Sequence, residues 1–308
     1  EHYNAMSPQK DFARFHNANG KLEMEDVKGI GVCNPTDGNN AHRNQLLEQS
    51  KNQFDKKLSP KTKELLNQLT EDDLFSIIRG EGMSSPKVTP GTAAAFGGVN
   101  SHMKELGIPC GCCSDGPSGM RLDSGSEAFN LPNGTLQACS FNPDLATELY
   151  TFLGYEMSFN KVDVLLGPGM NIHRYPLNGR NFEYFSEDPY LTGIMASSNV
   201  KGLQKAGNTG SLKHFCCNNQ EDNRNHTNAN ISERALREIY LRGFEICVKE
   251  GKPNNIMTSY NKINGVWGHY QYELCTTVLR KEWGYEGNVM TDWWMRSSKS
   301  PEFPNICD

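Results

Sequence analysis

No stretch of this 308-residue sequence approaches the ~20 consecutive apolar residues a membrane-spanning helix requires, so a membrane is not among the expected partners. The first ten residues, EHYNAMSPQK, also lack the charged segment and apolar core of a secretory leader. Positive charge is not in surplus. With 31 Lys and Arg against 36 Asp and Glu the formal charge is −5, and no basic run stands ready to neutralise phosphates, which argues against nucleic acid. Nor do the ten cysteines supply a convincing metal-site pattern, because the C-x-C-C of Cys110, Cys112 and Cys113 has no matching second half. No metal is expected. Small buried thiols in a reducing compartment are the simpler reading, and they point to a cytoplasmic protein.

What is present is the composition of a globular protein, 36% hydrophobic and 22% charged. Residues 1–60 are polar, Gly- and Asn-rich and without sustained period, the pattern of a linker or interdomain segment. The first residue is not Met, so either processing removed a segment or the chain is a piece of a longer product. A helical segment follows, SPKTKELLNQLTEDDLFSIIRG, with Leu65, Leu66, Leu69, Leu74 and Ile77 near helical spacing.

Past residue 105, short apolar runs alternate with amphipathic stretches. The runs GIPCGCC, LQACSF, VDVLLG, GSLKHF, NIMTSY and GNVMTDW read as strands. Of the helices between them, one has Asn142 as N-cap and Pro143 at its first turn, with Leu145, Leu149, Phe152 and Leu153 on one face. Another presents Leu236, Ile239, Tyr240, Phe244, Cys247 and Val248. About six strand–helix repeats predict a parallel sheet with right-handed crossovers. The fold class is α/β, a TIM-like (β/α) barrel over residues 61–308 that is incomplete at its C-terminal end, since six units are fewer than eight.

This reading puts Asp115, His173 with Arg174, Lys213 with His214, Tyr260 and Asp292 at carboxyl ends of strands, the face where such barrels build their sites. Asp292 stands between an apolar run and two tryptophans. A carboxylate beside indole faces suits chemistry on a sugar, the rings stacking on the pyranose while the carboxylate meets the anomeric carbon. It equally suits a helix N-cap after a strand, and position alone leaves those two readings even. An aldolase or sugar-phosphate isomerase would want a phosphate-binding glycine loop near the last strands, which the sequence does not offer. Two other classes remain: a sugar-binding module without turnover, and a regulatory metal domain built on the paired cysteines.

The segments SDGPSGMR, NGRNFEYFSEDPYLTG, KHFCCNNQE, SERALREIYLRGFE, IMTSYNKINGVW and GNVMTDWW resemble, in the same order, the sequence blocks of the glycoside hydrolase family 3 β-glucosidases. The resemblance covers roughly residues 70 to 295. It implies a retaining, double-displacement hydrolase with no metal or organic cofactor, acting on β-glucosides or cello-oligosaccharides, with β-xylosides as the alternative. Carried over by position, Asp292 resembles the nucleophile. Asp115 resembles the acceptor of distal sugar hydroxyls, with Arg121 beside it, and Arg180 the arginine that clamps the sugar. Lys213 with His214 resembles the family's Lys-His pair, Tyr260 the tyrosine that orients the nucleophile, and Met257 and Trp293 the pocket wall. Taken singly, Arg180 could serve only as an ion-pair partner of Glu183 or Glu187, and His214 only as a core histidine. The loop CCNNQEDNRNH, whose His226 is a poor stand-in for an acid/base histidine, sets the chain apart from the N-acetylglucosaminidase branch. In the β-glucosidase branch the acid/base glutamate comes from an α/β sandwich domain. That domain is expected elsewhere in the gene product, in swapped order, or on a partner chain.

Overall fold

The computed structural model describes residues 58–293. Residues 1–57, and with them nearly all of the polar segment, lie outside the described residues, as does Trp294. A six-stranded sheet organises the rest. Its order is β1 (Ala94–Gly97), β2 (Cys110–Asp115), β3 (Val164–Leu166), β4 (Thr209–Phe215), β6 (Asn255–Thr258) and β9 (Asn288–Met290). From β2 to β9 every pairing is parallel, with Cys113 opposite Val164, Val164 opposite Thr209, Ser211 opposite Asn255, and Asn255 opposite Asn288. β1 is antiparallel to β2, Ala94 facing Cys113, and was not among the predicted strands. Its sequence, AAFG, is too short and too rich in alanine to stand out. Three short strands, β5 (Asn228–Ala229), β7 (Lys262–Ile263) and β8 (Val266–Trp267), form a separate small sheet.

Three expectations need correction. LQACSF is not a strand: Gly134–Cys139 is a helix, capped by the Asn133 side chain, which accepts from the Leu136 N–H at 2.9 Å. A six-residue apolar run has no period that separates strand from buried helix, and here the cap decides. The segment 59–80 is two helices, Pro60–Leu66 and Glu71–Arg79, divided by a capping box in which Thr70 and Asp73 each bond the other's backbone N–H. The helix Pro143–Phe159 begins at Asn142 and Pro143 but is turned differently from the prediction. It buries Ala146, Tyr150, Leu153, Gly154 and Met157 and exposes Leu145 and Phe152.

The rotation follows from its neighbour, Pro189–Lys205. The two helices touch so closely that a Cβ on Gly202 would lie 2.5 Å from the Thr147 carbonyl oxygen, and one on Gly154 would lie 2.6 Å from the Ala206 Cβ. Such contacts choose the buried face by fit, not by apolar count. The helical stretch 233–251 buries Leu236, Tyr240, Phe244, Cys247 and Val248 as predicted and leaves Ile239 exposed. Phe215 of β4 anchors this side of the core, edge-on to Phe244 at 5.2 Å and Trp283 at 6.1 Å.

Candidate active site

The parallel strands all present their carboxyl ends to one side, and there the chain opens a pocket of about 390 Å³. Asp115 is the last residue of β2, Lys213 and His214 sit near the end of β4, Met257 lies in β6, and Tyr260 follows it by two residues. Asp292 and Trp293 follow β9. Arg121 and Arg180 come from loops after β2 and β3. All of these predicted site residues line the pocket. His173 and Arg174 do not; Arg174 instead donates from Nε to the Tyr240 hydroxyl at 3.1 Å.

Lys213 and Asp115 form the distal corner. The Lys213 ammonium, only 5% exposed, donates to Asp115 Oδ1 at 2.9 Å. Burial works to raise the Asp115 carboxyl, but the adjacent ammonium, the Gly116 N–H and Arg180 together outweigh it and hold the group below its ordinary value. Arg121 reaches toward Asp115 Oδ2 at 4.0 Å while its Nε donates to Asp123 at 2.8 Å. The turn after Asp115 depends on Gly116, at φ +120°, where a Cβ would lie 1.8 Å from the Gly119 carbonyl oxygen.

Asp292 is held by one oxygen only. The Trp293 N–H donates to Oδ1 at 2.7 Å, whereas Oδ2 is buried without a hydrogen-bond partner, with His214 Nε2 3.5 Å away; the Tyr260 hydroxyl also interacts with the carboxylate. The side chain is 12% exposed. Burial raises its pKa above the ordinary aspartate value, against the pull of Lys213, the Trp293 N–H, Arg180 and Arg224. An unpaired carboxylate oxygen in a pocket is a nucleophile's arrangement, since nothing must be broken before it attacks.

His214 contributes no charge. Burial, with Arg180 and Lys213 close by, pushes it well below its ordinary value, so the imidazole is neutral. Its Nδ1 faces the Tyr184 hydroxyl at 3.1 Å, and Asn171 accepts from its backbone N–H at 2.9 Å. Arg180 is both things the sequence allowed. It is ion-paired through Nε to Glu183, and it lines the pocket, with Nη1 3.8 Å from Glu221. Met257 and Trp293 pack in one apolar cluster with Ala93 and Leu166, forming the floor, and the Trp293 indole N–H donates to the Ala93 carbonyl at 3.3 Å. The Tyr260 hydroxyl donates to the Trp293 carbonyl oxygen.

Sequence reasoning missed Arg224, Asp123, Met83, Gly91 and Ala93, which also line the pocket. Arg224 stood inside CCNNQEDNRNH, a segment read only for its lack of an acid/base histidine. No spacing rule carries a loop arginine back to a strand end. Among the described residues, no group of three or more His, Cys, Asp or Glu is gathered to hold a metal ion. Neighbouring Cys112 and Cys113 point to opposite faces of β2 and join different core clusters.

The model of the glycosyl hydrolase family 3 N-terminal domain matches residues 43–303. The chain belongs to glycosyl hydrolase family 3. The family 3 N-terminal domain is a TIM-like barrel, and the curled parallel sheet described above is part of one. Among family 3 relatives, a β-glucosidase of Ruminococcus albus is 64% identical over 231 residues, which are 75% of this chain and 24% of that protein. β-Glucosidase A of Butyrivibrio fibrisolvens is 41% identical over 233 residues, 75% of this chain and 27% of its own. In solved structures, a β-glucosidase from Paenibacillus barengoltzii superposes with a TM-score of 0.74 at 61% identity, covering 75% of this chain and 25% of that one. β-Glucosidase 3B from Thermotoga neapolitana in complex with glucose superposes with a TM-score of 0.71 at 44% identity, covering 75% and 33%. This chain therefore spans about a quarter of the length of the two named sequence relatives.

Proposed function

We propose that this family 3 chain supplies the sugar-binding site and the nucleophile of a retaining β-glucosidase that removes terminal β-linked glucose from β-glucosides or cello-oligosaccharides. The observation that carries this reading is Asp292, with Oδ1 fixed by the Trp293 N–H and Oδ2 unpaired in the pocket. Oδ2 attacks the anomeric carbon, the bond to the leaving oxygen breaks, and a glycosyl ester on Asp292 results; water then attacks the same carbon and frees the carboxylate. Lys213, Asp115, Arg121 and Arg180 are suited to hold the sugar hydroxyls, and Trp293 with Met257 offers the apolar wall.

The same reading places the acid/base glutamate outside this chain, in an α/β sandwich domain of the gene product or of a partner. The two other carboxylates lining the pocket support this. Asp115 is paired with Lys213 and held below its ordinary value, the reverse of what a general acid needs, and Asp123 is paired with Arg121. A second reading, cleavage of β-xylosides, shares only a pentopyranose without C6 with what a Bifidobacterium breve relative, 46% identical over 211 residues, is named for, an exo-α-(1→6)-L-arabinopyranosidase.

Labelling tests the proposal. A dinitrophenyl 2-deoxy-2-fluoro-β-glucoside needs little protonation to lose its phenolate, and fluorine slows turnover of the ester. Intact mass and peptide mapping should find one fluoroglucosyl group, on Asp292. Label on a different carboxylate overturns the mechanism, and faster labelling by the fluoroxyloside favours the second reading.

A further inference from the structure

Resting on that reading, the structure points to a role for two residues outside the predicted set. We propose that Glu221 and Arg224 are a positioning pair for the nucleophile, acting through Tyr260. Contact follows contact from one to the other. Arg224 Nη1 lies 3.0 Å from Glu221 Oε2. Its guanidinium stands 4.4 Å over the centre of the Tyr260 ring. The Tyr260 hydroxyl donates to the Trp293 carbonyl oxygen, and the Trp293 N–H donates to Asp292 Oδ1 at 2.7 Å. Asp292 follows the last described strand by two residues, so its peptide is not fixed by a sheet ladder. The Tyr260 hydroxyl on the Trp293 carbonyl joins the indole N–H on Ala93 in holding Trp293, whose N–H orients Asp292, and the guanidinium stands over the ring that carries the hydroxyl.

Glu221 is itself held on three sides. Asn218 Nδ2 donates to Oε1 at 2.9 Å, the Glu221 N–H donates to Asn178 Oδ1 at 3.0 Å, and Arg180 Nη1 lies 3.8 Å from Oε1. This carboxylate therefore sits between two pocket arginines, with Arg224 paired to one of its oxygens and Arg180 near the other. Arg224 thus serves both partners at once, Nη1 on the carboxylate and the cation over the ring.

The test follows the labelling step, whose rate constant and half-saturation separate attack from binding. Glu221→Gln and Arg224→Gln should each slow label formation at saturation about tenfold or more while changing half-saturation less, because the pair acts on the nucleophile's geometry. In a Tyr260→Phe background, which keeps the ring but lacks the hydroxyl, neither substitution should slow the reaction further, since residues acting through one another are not additive. Arg224→Lys, which retains a cation over the ring, should recover part of the loss. Full additivity with Tyr260→Phe overturns the proposal. So does a melting temperature that falls while the labelling rate of the folded Arg224→Gln chain is unchanged, which is the mark of a purely structural pair. If Glu221→Gln does not fold, the Arg224 variants alone decide. Binding of a glucose-configured iminosugar, read by calorimetry, separates the two levels of failure. A wild-type chain that binds it without ever being labelled on Asp292 refutes both the catalytic reading and this pair, whereas a labelled wild type with unaltered variants refutes the pair alone.

Discussion

Two opposing influences meet at Asp292. Burial raises its pKa, while Lys213, one backbone N–H, Arg180 and Arg224 lower it, and burial prevails. Because Asp292 binds its proton more readily folded than unfolded, its ionisation costs stability as pH rises through its folded value. Asp292→Asn should therefore raise the melting temperature at pH 7, with the gain shrinking as pH falls through the ordinary aspartate range. A lower melting temperature at pH 7 would contradict the burial argument. The labelling rate should also drop, on acidification, at a higher pH than for a surface aspartate, since only the ionised carboxylate attacks. Asp115 has the opposite sign: its pairing with Lys213 stabilises the fold above the ordinary aspartate range, and that contribution is lost as pH falls through its folded value. Lys213→Ala unpairs this corner. Hydrogen bonds to charged groups contribute about 1.5–3 kcal/mol, so the specificity constant for labelling should fall roughly tenfold to a hundredfold. An unchanged constant would remove Lys213 from the sugar site.

Elements position these residues by their ends. β2 delivers Asp115 as its last residue, and Gly116 turns the chain immediately afterwards at a φ that other residues rarely adopt. Gly116→Ala should force the turn apart, because its Cβ would meet the Gly119 carbonyl oxygen at 1.8 Å. The expected result is a loss of about 2 kcal/mol of stability or more by chemical denaturation, with weaker sugar binding as Asp115 moves. Wild-type stability and binding would show that the turn relaxes without moving the carboxylate. Helix starts are legible at this scale: Asn142 with Pro143 reads as a cap in sequence and caps in the structure, and the Thr70–Asp73 box is present in the letters TEDD, inside a segment whose apolar spacing alone suggests one continuous helix. Which side of Pro143–Phe159 faces inward was not legible. That helix is apolar on more than one side, so the close approach of Pro189–Lys205 decides it.

At the scale of the whole molecule, the described pocket holds a candidate nucleophile and sugar-binding groups, and both of its other carboxylates are engaged in ion pairs. The leaving group should therefore control the chain's activity. The chain alone should release dinitrophenolate from its β-glucoside while hydrolysing cellobiose at least about a hundredfold more slowly, since positioned general-acid catalysis contributes typically 10²- to 10⁴-fold for poor leaving groups. Comparable rates on both substrates, measured on this chain, would mean that an acid is present within it.

The sequence by itself determined the alternation of strand and helix, the placement of Asp115, Lys213, Tyr260 and Asp292 at strand ends, and through its ordered blocks the likeness to family 3. These are local matters, set by apolar runs, caps and short motifs whose residues are neighbours in the chain. Only the tertiary structure decided that LQACSF coils, that a short alanine-rich strand closes the sheet edge antiparallel, and that Arg224 and Asp123 reach the pocket while His173 and Arg174 do not. Those outcomes depend on which surfaces meet. A helix cap, a glycine that lets two helices touch, or a loop that returns an arginine to a tyrosine ring acts between residues far apart in sequence, where periodicity carries no information.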